Sequence, residues 1–184
     1  MCPSNAGAFT GPDDTHLSNN GSSSMNERAK LKRILERDKV IAVVGLSRQP
    51  YRPSHSVSVY MQSHGYRIVP INPAYSNDTA GVLGERCYAT LQDASASLAG
   101  EGVAIEMVDV FRRSDEVAAI VDDAISIGAR SLWLQLGVID DASAKRAELA
   151  GLDVAMDRCV MVEHGRLIGT AQRINAPAPR LPQM

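Results

Sequence analysis

Val40-Ile41-Ala42-Val43-Val44-Gly45-Leu46-Ser47 opens with five apolar residues, four of them β-branched, and stops at a glycine. Such a run has no polar face to turn to water, so it reads as a parallel strand buried on both sides. Further strands are read at Tyr66–Ile71, Ala104–Val110, Ser131–Leu136 and Leu152–Met156. Pro70 lies near the end of the second, where a missing ladder bond costs least.

Helical periodicity fills the gaps. Ser54 is expected to cap a helix with Val57, Tyr60 and Met61 inward and Gly65 at its end. Ser114 is expected to cap another, with Asp115 and Glu116 near its positive end, Val117, Ile120, Val121 and Ala124 on one face, and Gly128 closing it. Asp141 is expected to cap a third, closed by Gly151. Upstream, Asn26 is expected to start a helix carrying Leu31, Ile34 and Leu35. Strand, glycine-marked loop, helix and strand again is the pattern of right-handed βαβ units. The expected fold is a three-layer, Rossmann-like, doubly wound α/β domain with a mainly parallel sheet and helices on both faces, spanning residues 26–174. Gln92–Gly102, rich in Ala, Ser and Gly, reads as a surface elaboration.

Residues 1–25 are polar and are expected to form a disordered tail, either a leader or the result of a start assigned ahead of Met25. Residues 175–184 contain three prolines and read as a loose tail. A net charge of −2 argues against a nucleic-acid partner, and no apolar run is long enough to cross a membrane. Cys2, Cys87 and Cys159 are odd in number and far apart, so the cytoplasm is the expected compartment.

In doubly wound sheets ligands sit beyond the carboxyl ends of the strands. The loop Gly45-Leu46-Ser47-Arg48 runs to Arg52-Pro53-Ser54, and a helix starting there offers unpaired amides and the positive end of its dipole to a phosphate. The alternative is an ordinary βα connection with its arginines in solvent. G-x-G-x-x-G is absent, and Asn72 stands where an acid would read an NAD ribose; both weigh against an NAD-binding redox sensor. The loop is not a Walker A sequence either.

Val43-Val44-Gly45-Leu46-Ser47, Arg52-Pro53-Ser54, Gly65–Pro73, Gly84–Tyr88, Val108–Arg113, Ala129–Gly137 and Met156–Cys159, in that order, resemble the small stand-alone CoA-binding domain proteins of bacteria. These are similar to the CoA-binding domain of the succinyl-CoA synthetase α subunit. The resemblance runs from about Leu35 to Leu167. It implies a coenzyme A or acyl-CoA ligand, with Gly45, Leu46, Ser47 and Arg48 facing phosphates and Asn72 and Pro73 bordering the nucleotide. It implies Val110, Phe111 and Arg112 against adenine and ribose, and Gln135 and Gly137 where the pantetheine arm leaves. A 3′-phosphate wants a cationic partner, and Arg52, Arg112 and Arg113 are the candidates.

The synthetase's phosphohistidine lies in a second domain that this chain lacks, so its activity is not carried over. No catalytic constellation is read from His16, His55, His64 or His164, nor from Asp109, Asp140 and Asp141. Cys159 and His164 are too few for a metal site. Cys87 and Cys159 are expected to pack as small apolar groups, the alternative being a mixed disulfide with the CoA thiol. Trp133 is expected in the core, and Arg158 is expected to pair with Asp157. The expected function is a non-catalytic carrier, sensor or partner module, with room for a protein partner or homodimer; a ligase- or transferase-related subunit needing a partner chain is the alternative.

Overall fold

Five parallel strands lie in the order β2-β1-β3-β4-β5 in the computed structural model, which describes residues 20–169. They are β1 (Val40–Val44), β2 (Arg67–Ile71), β3 (Met107–Val110), β4 (Ser131–Leu134) and β5 (Asp153–Ala155). Each coincides with an expected strand but is shorter at one end or both, except β1, which matches. Both outer tails lie beyond the described residues, apart from the stretch from Asn20.

The helices are α1 (Asn20–Arg37), α2 (Pro53–Ser63), α3 (Leu91–Ala99), α4 (Val117–Ser126), α5 (Asp141–Leu149) and α6 (Val160–His164). Strand residues alternate between two cores. Ile41, Val43, Ile68, Met107 and Trp133 face Leu31, Ile34 and Leu35 of α1, Val57 and Met61 of α2 and Val160 of α6. Ala42, Val69, Val108, Leu132 and Val154 face Leu91 and Leu98 of α3, Val117 and Val121 of α4 and Ala147 of α5. The three-layer, Rossmann-like reading is therefore correct, and among the described strands the sheet is wholly parallel.

Several local expectations need correction. α1 begins at Asn20, inside the stretch expected to be disordered and six residues before Asn26. Gln92–Gly102 is not an elaboration. Thr90 caps α3 by accepting the Asp93 amide at 3.1 Å, and Leu91, Ala94 and Leu98 are buried. The cap of α2 is Arg52, with Pro53 at the first helical position where no amide is needed. Asp140, not Asp141, caps α5, accepting from the Ser143 amide at 3.0 Å. Ser114 opens a 3₁₀ turn before α4, and its hydroxyl accepts the Ile139 amide at 3.0 Å. These side chains cap or brace, but one step away from where local pattern placed them. Arg158 pairs with Glu27 of α1 at 2.8 Å rather than with Asp157, whose carboxylate accepts the Gly137 amide at 2.8 Å.

Candidate functional site

Strand order reverses between β1 and β3: the chain passes from β1 outward to β2, then returns to the far side of β1 to build β3. Loops leaving the two strands diverge there and leave a crevice at their carboxyl ends. A cleft of about 670 Å³ occupies it. The β1 exit contributes Gly45 and Ser47, the start of α2 contributes Arg52, Pro53, Ser54 and Val57, and the β3 exit contributes Phe111, Arg112 and Arg113. Gln135, Leu136 and Val138 come from the β4 exit, and Cys159 from the residue before α6.

Gly45 sets the shape of this corner. Its φ is +89°, and a Cβ there would lie 2.8 Å from both the Phe111 carbonyl oxygen and Cδ of Arg112. The glycine thus lets the β3 exit press against the β1 exit. Its amide does not face a ligand, because it donates to the Ile71 carbonyl at 2.9 Å. The Ser47 amide donates to Oγ of Ser54 at 3.1 Å, and the Gln49 amide to Oγ of Ser47 at 3.1 Å. Three amides of the supposed phosphate loop therefore have partners within the protein.

Positive charge is distributed unequally. Arg112 forms a two-pronged bond to Glu116, at 2.8 Å and 2.6 Å. Arg113 pairs with Asp115 at 2.9 Å. Arg52 is exposed and touches the Tyr51 ring, its guanidinium carbon 5.9 Å from the ring centre, and no carboxylate among the described residues pairs with it. Arg48 turns away from the cleft, to Asp78 at 2.5 Å and the Gly81 carbonyl at 2.9 Å. That hydrogen bond, more than the bond from the Ala80 amide, holds the Asp78 carboxyl below its ordinary range.

Other expected site residues are structural supports. Leu46 and Val110 are wholly buried in opposite cores. Asn72 donates to the Leu46 carbonyl at 2.9 Å and accepts from the Ala74 amide at 3.1 Å, tying the β2 exit to the β1 exit. Gly137 spaces Leu136 and Val138, which do line the cleft. Pro73 lies in a second, smaller cleft of about 310 Å³ with Val44, Ile71, Leu91 and Ile120; Gly45 and Arg112 belong to both clefts. His55 is half-buried in the first turn of α2 and lines neither cleft.

Asp109 sits behind the larger cleft. It is buried, and its Oδ1 accepts from Nε2 of Gln135 at 2.8 Å. Burial pushes the carboxyl up to about 7, against the opposing hydrogen bonds from Gln135 and the Val110 amide. Cys87 is buried as expected, and desolvation raises its thiol. Cys159 instead is half-exposed in the cleft wall. Among the described residues no group of three or more His, Cys, Asp or Glu is placed to hold a metal ion, and no helix is long and apolar enough to cross a membrane.

The lining residues missed in the sequence are Val57, Leu136, Val138 and Cys159. Val57 follows Ser54 by three residues on one helix face, and Leu136 and Val138 flank a glycine already singled out. Cys159 is expected near the ligand only through the mixed-disulfide alternative, and it is the docking of α6 on α2 that brings it to the cleft.

The CoA binding domain family model matches residues 39–165. The chain belongs to that family. The matched residues run from β1 through α6 and include every wall of both clefts, while α1 precedes them. Among similar sequences is the uncharacterized protein YneT of Bacillus subtilis, 35% identical over 137 residues, or 74% of this chain and 93% of the relative. A hypothetical protein from Pyrococcus horikoshii has a solved structure at 36% identity and a TM-score of 0.68, covering 77% of this chain and 92% of its own. Cell-free ID.343 from Thermus thermophilus matches at 31% identity and a TM-score of 0.67, covering 77% and 98% respectively.

Proposed function

We propose that the protein binds coenzyme A or an acyl-CoA across the carboxyl ends of β1, β3 and β4, as a non-catalytic carrier, sensor or partner module. The observation that carries this reading is the mixed lining of the larger cleft. It combines Arg52, which no carboxylate among the described residues pairs with, and the apolar side chains of Val57, Leu136 and Val138. A ligand with a phosphorylated nucleotide and a long, weakly polar arm matches that combination. Family membership supports the same ligand class. The smaller cleft, on the far side of the Gly45–Arg112 saddle, has apolar walls suited to an adenine base. An NAD ligand fits less well, because Asn72 at the β2 exit spends its amide on two backbone partners and offers no carboxylate to a ribose.

Of the three arginines, Arg52 is assigned to the 3′-phosphate, since Glu116 and Asp115 already neutralise the other two. Calorimetric titration with CoA, dephospho-CoA, NAD and ATP tests both statements. CoA is expected to bind tightest and dephospho-CoA about tenfold more weakly, the value of one charge-assisted contact. Equal or tighter binding of NAD overturns the reading.

A further inference from the structure

Two buried aspartates in this fold have opposite company. Asp38, wholly buried, meets the guanidinium of Arg37 at 2.6 Å and the hydroxyl of Ser131 at 2.6 Å. Asp109, equally shut away, meets no cation among the described residues. Its register neighbours are Val43 on β1 and Trp133 on β4. The titratable or charged groups on the surrounding elements are His55 and Tyr60 of α2, Arg112 and Arg113 beyond β3, Asp157, Arg158 and Cys159 before α6, and Glu163 and His164 of α6. None of these contributes to the displaced titration of Asp109, which burial causes. Among the described residues the one side chain bonded to it is Gln135, itself buried and part of the cleft wall.

Gln135 has two ends. Its Nε2 is committed to Asp109. Among the described residues nothing donates to its Oε1, and that oxygen keeps some exposure on a side chain that lines the cleft.

We propose that Asp109 is a positioning residue that decides whether the cleft offers a hydrogen-bond acceptor: ionised, it holds the Gln135 amide with its oxygen toward the ligand, and protonated, it draws that oxygen inward. A carboxylate only accepts, so it fixes Nε2 and leaves Oε1 for an N–H of the ligand. One proton taken from water turns Asp109 into an acid whose buried O–H needs an acceptor. Oε1 of Gln135 is an acceptor on the side chain already bonded to it. An acid–amide pair then closes with two hydrogen bonds, and the acceptor leaves the cleft wall. The ligand class this favours on the alkaline side is one with amide N–H groups along a flexible arm. That last step rests on the function proposed above; the coupling of Asp109 to Gln135 does not.

The test has two independent parts on the full chain. In the protein alone, nuclear magnetic resonance follows the Asp109 carboxyl carbon and the Gln135 side-chain amide nitrogen from about pH 5.5 to about pH 8.5. The two are expected to move together with one midpoint. A Gln135 amide that stays still while Asp109 titrates overturns the proposal. Calorimetry then compares CoA binding to the wild type and Asp109→Asn, which share the ligand's own phosphate titration. From about pH 6 to about pH 8 the wild-type Kd is expected to fall about tenfold relative to the variant, the worth of one hydrogen bond. Parallel pH profiles overturn the effect on the ligand. Failure of CoA to bind either protein defeats the proposed function and leaves the resonance experiment to decide the switch.

Discussion

Oγ of Ser54, in the first turn of α2, accepts the backbone amide of Ser47 at 3.1 Å and so ties the β1 exit loop to the helix that follows it. Both residues line the larger cleft. Ser54→Ala removes the acceptor and leaves a partly buried amide unpaired. The expected cost is about 1 kcal/mol, or a fall in Tm of about 3 °C by scanning calorimetry. An unchanged Tm would mean that solvent serves the Ser47 amide as well as Ser54 does.

Gly45→Ala combines two penalties, a left-handed φ and contacts of 2.8 Å with the Phe111 carbonyl and the Arg112 side chain. Gly84 offers a control: its φ is +77°, but a Cβ there meets nothing within 4 Å. Gly84→Ala is expected to cost about 1 kcal/mol and Gly45→Ala at least about 2 kcal/mol, because the rigid backbone oxygen has to move. Denaturant unfolding of both variants checks this, and equal costs would show that the β3 exit yields freely.

These contrasts mark where local pattern stops informing. The strands were legible because β-branched apolar runs such as Val40–Val44 have few other uses. α3 was not, because its apolar positions Leu91, Ala94 and Leu98 are sparse among Ser and Ala, and its cap, Thr90, and first core residue, Leu91, fall outside the stretch that looked irregular. The site was legible as a set of strand ends. Which residues at those ends face the cleft depends on strand pleat, and Val110 points into the α3–α4–α5 core while its successor Phe111 lines the cleft. The use of loop amides also escapes sequence, since the partner of the Gly45 amide is Ile71, on a neighbouring strand.

Acid is expected to destabilise the fold through His164. This residue is buried among the rings of Tyr60, Tyr66 and His64, with Nδ1 3.1 Å from the Tyr60 hydroxyl. Burial, then the nearby positive charge of His64 and Lys39, lowers its titration to about 4 from an ordinary 6.5. Between those values the unfolded chain takes a proton that the native protein refuses, so stability falls as pH falls through the window. In His164→Phe the slope of Tm against pH is expected to flatten over that range. A slope that persists unchanged would assign the acid limb to other groups.

Asp109 acts in the opposite sense. Its native titration lies near 7 against an ordinary 3.8, so across that interval the folded protein holds a proton the unfolded chain has lost. Stability therefore declines as pH rises through the window, and the cost of a buried carboxylate is fully present above it. Asp109→Asn keeps an oxygen that can accept from Gln135 but carries no charge. It is expected to raise Tm by several degrees at about pH 8 and to change it little at about pH 4. A variant that is less stable at both would mean that the carboxylate is better solvated from the cleft than its burial implies.

Arg52 should dominate the charge dependence of binding, although Arg112 and Arg113 line the same cleft. A guanidinium bonded at 2.8 Å and 2.6 Å to Glu116 has two of its donors and most of its field already spent. Among the described residues Arg52 rests against Tyr51 without a carboxylate partner and keeps its donor fork for an incoming phosphate. Arg52→Ala is accordingly expected to raise the Kd for CoA about tenfold or more, with a smaller effect on dephospho-CoA, while Arg112→Ala raises it by less than about threefold. Added salt should weaken wild-type binding more than that of Arg52→Ala, because an exposed cation's attraction is screened over about 10 Å at moderate ionic strength. If instead Arg112→Ala proves the more damaging, the ligand must displace Glu116, and the phosphate belongs on the saddle between the two clefts rather than at the start of α2.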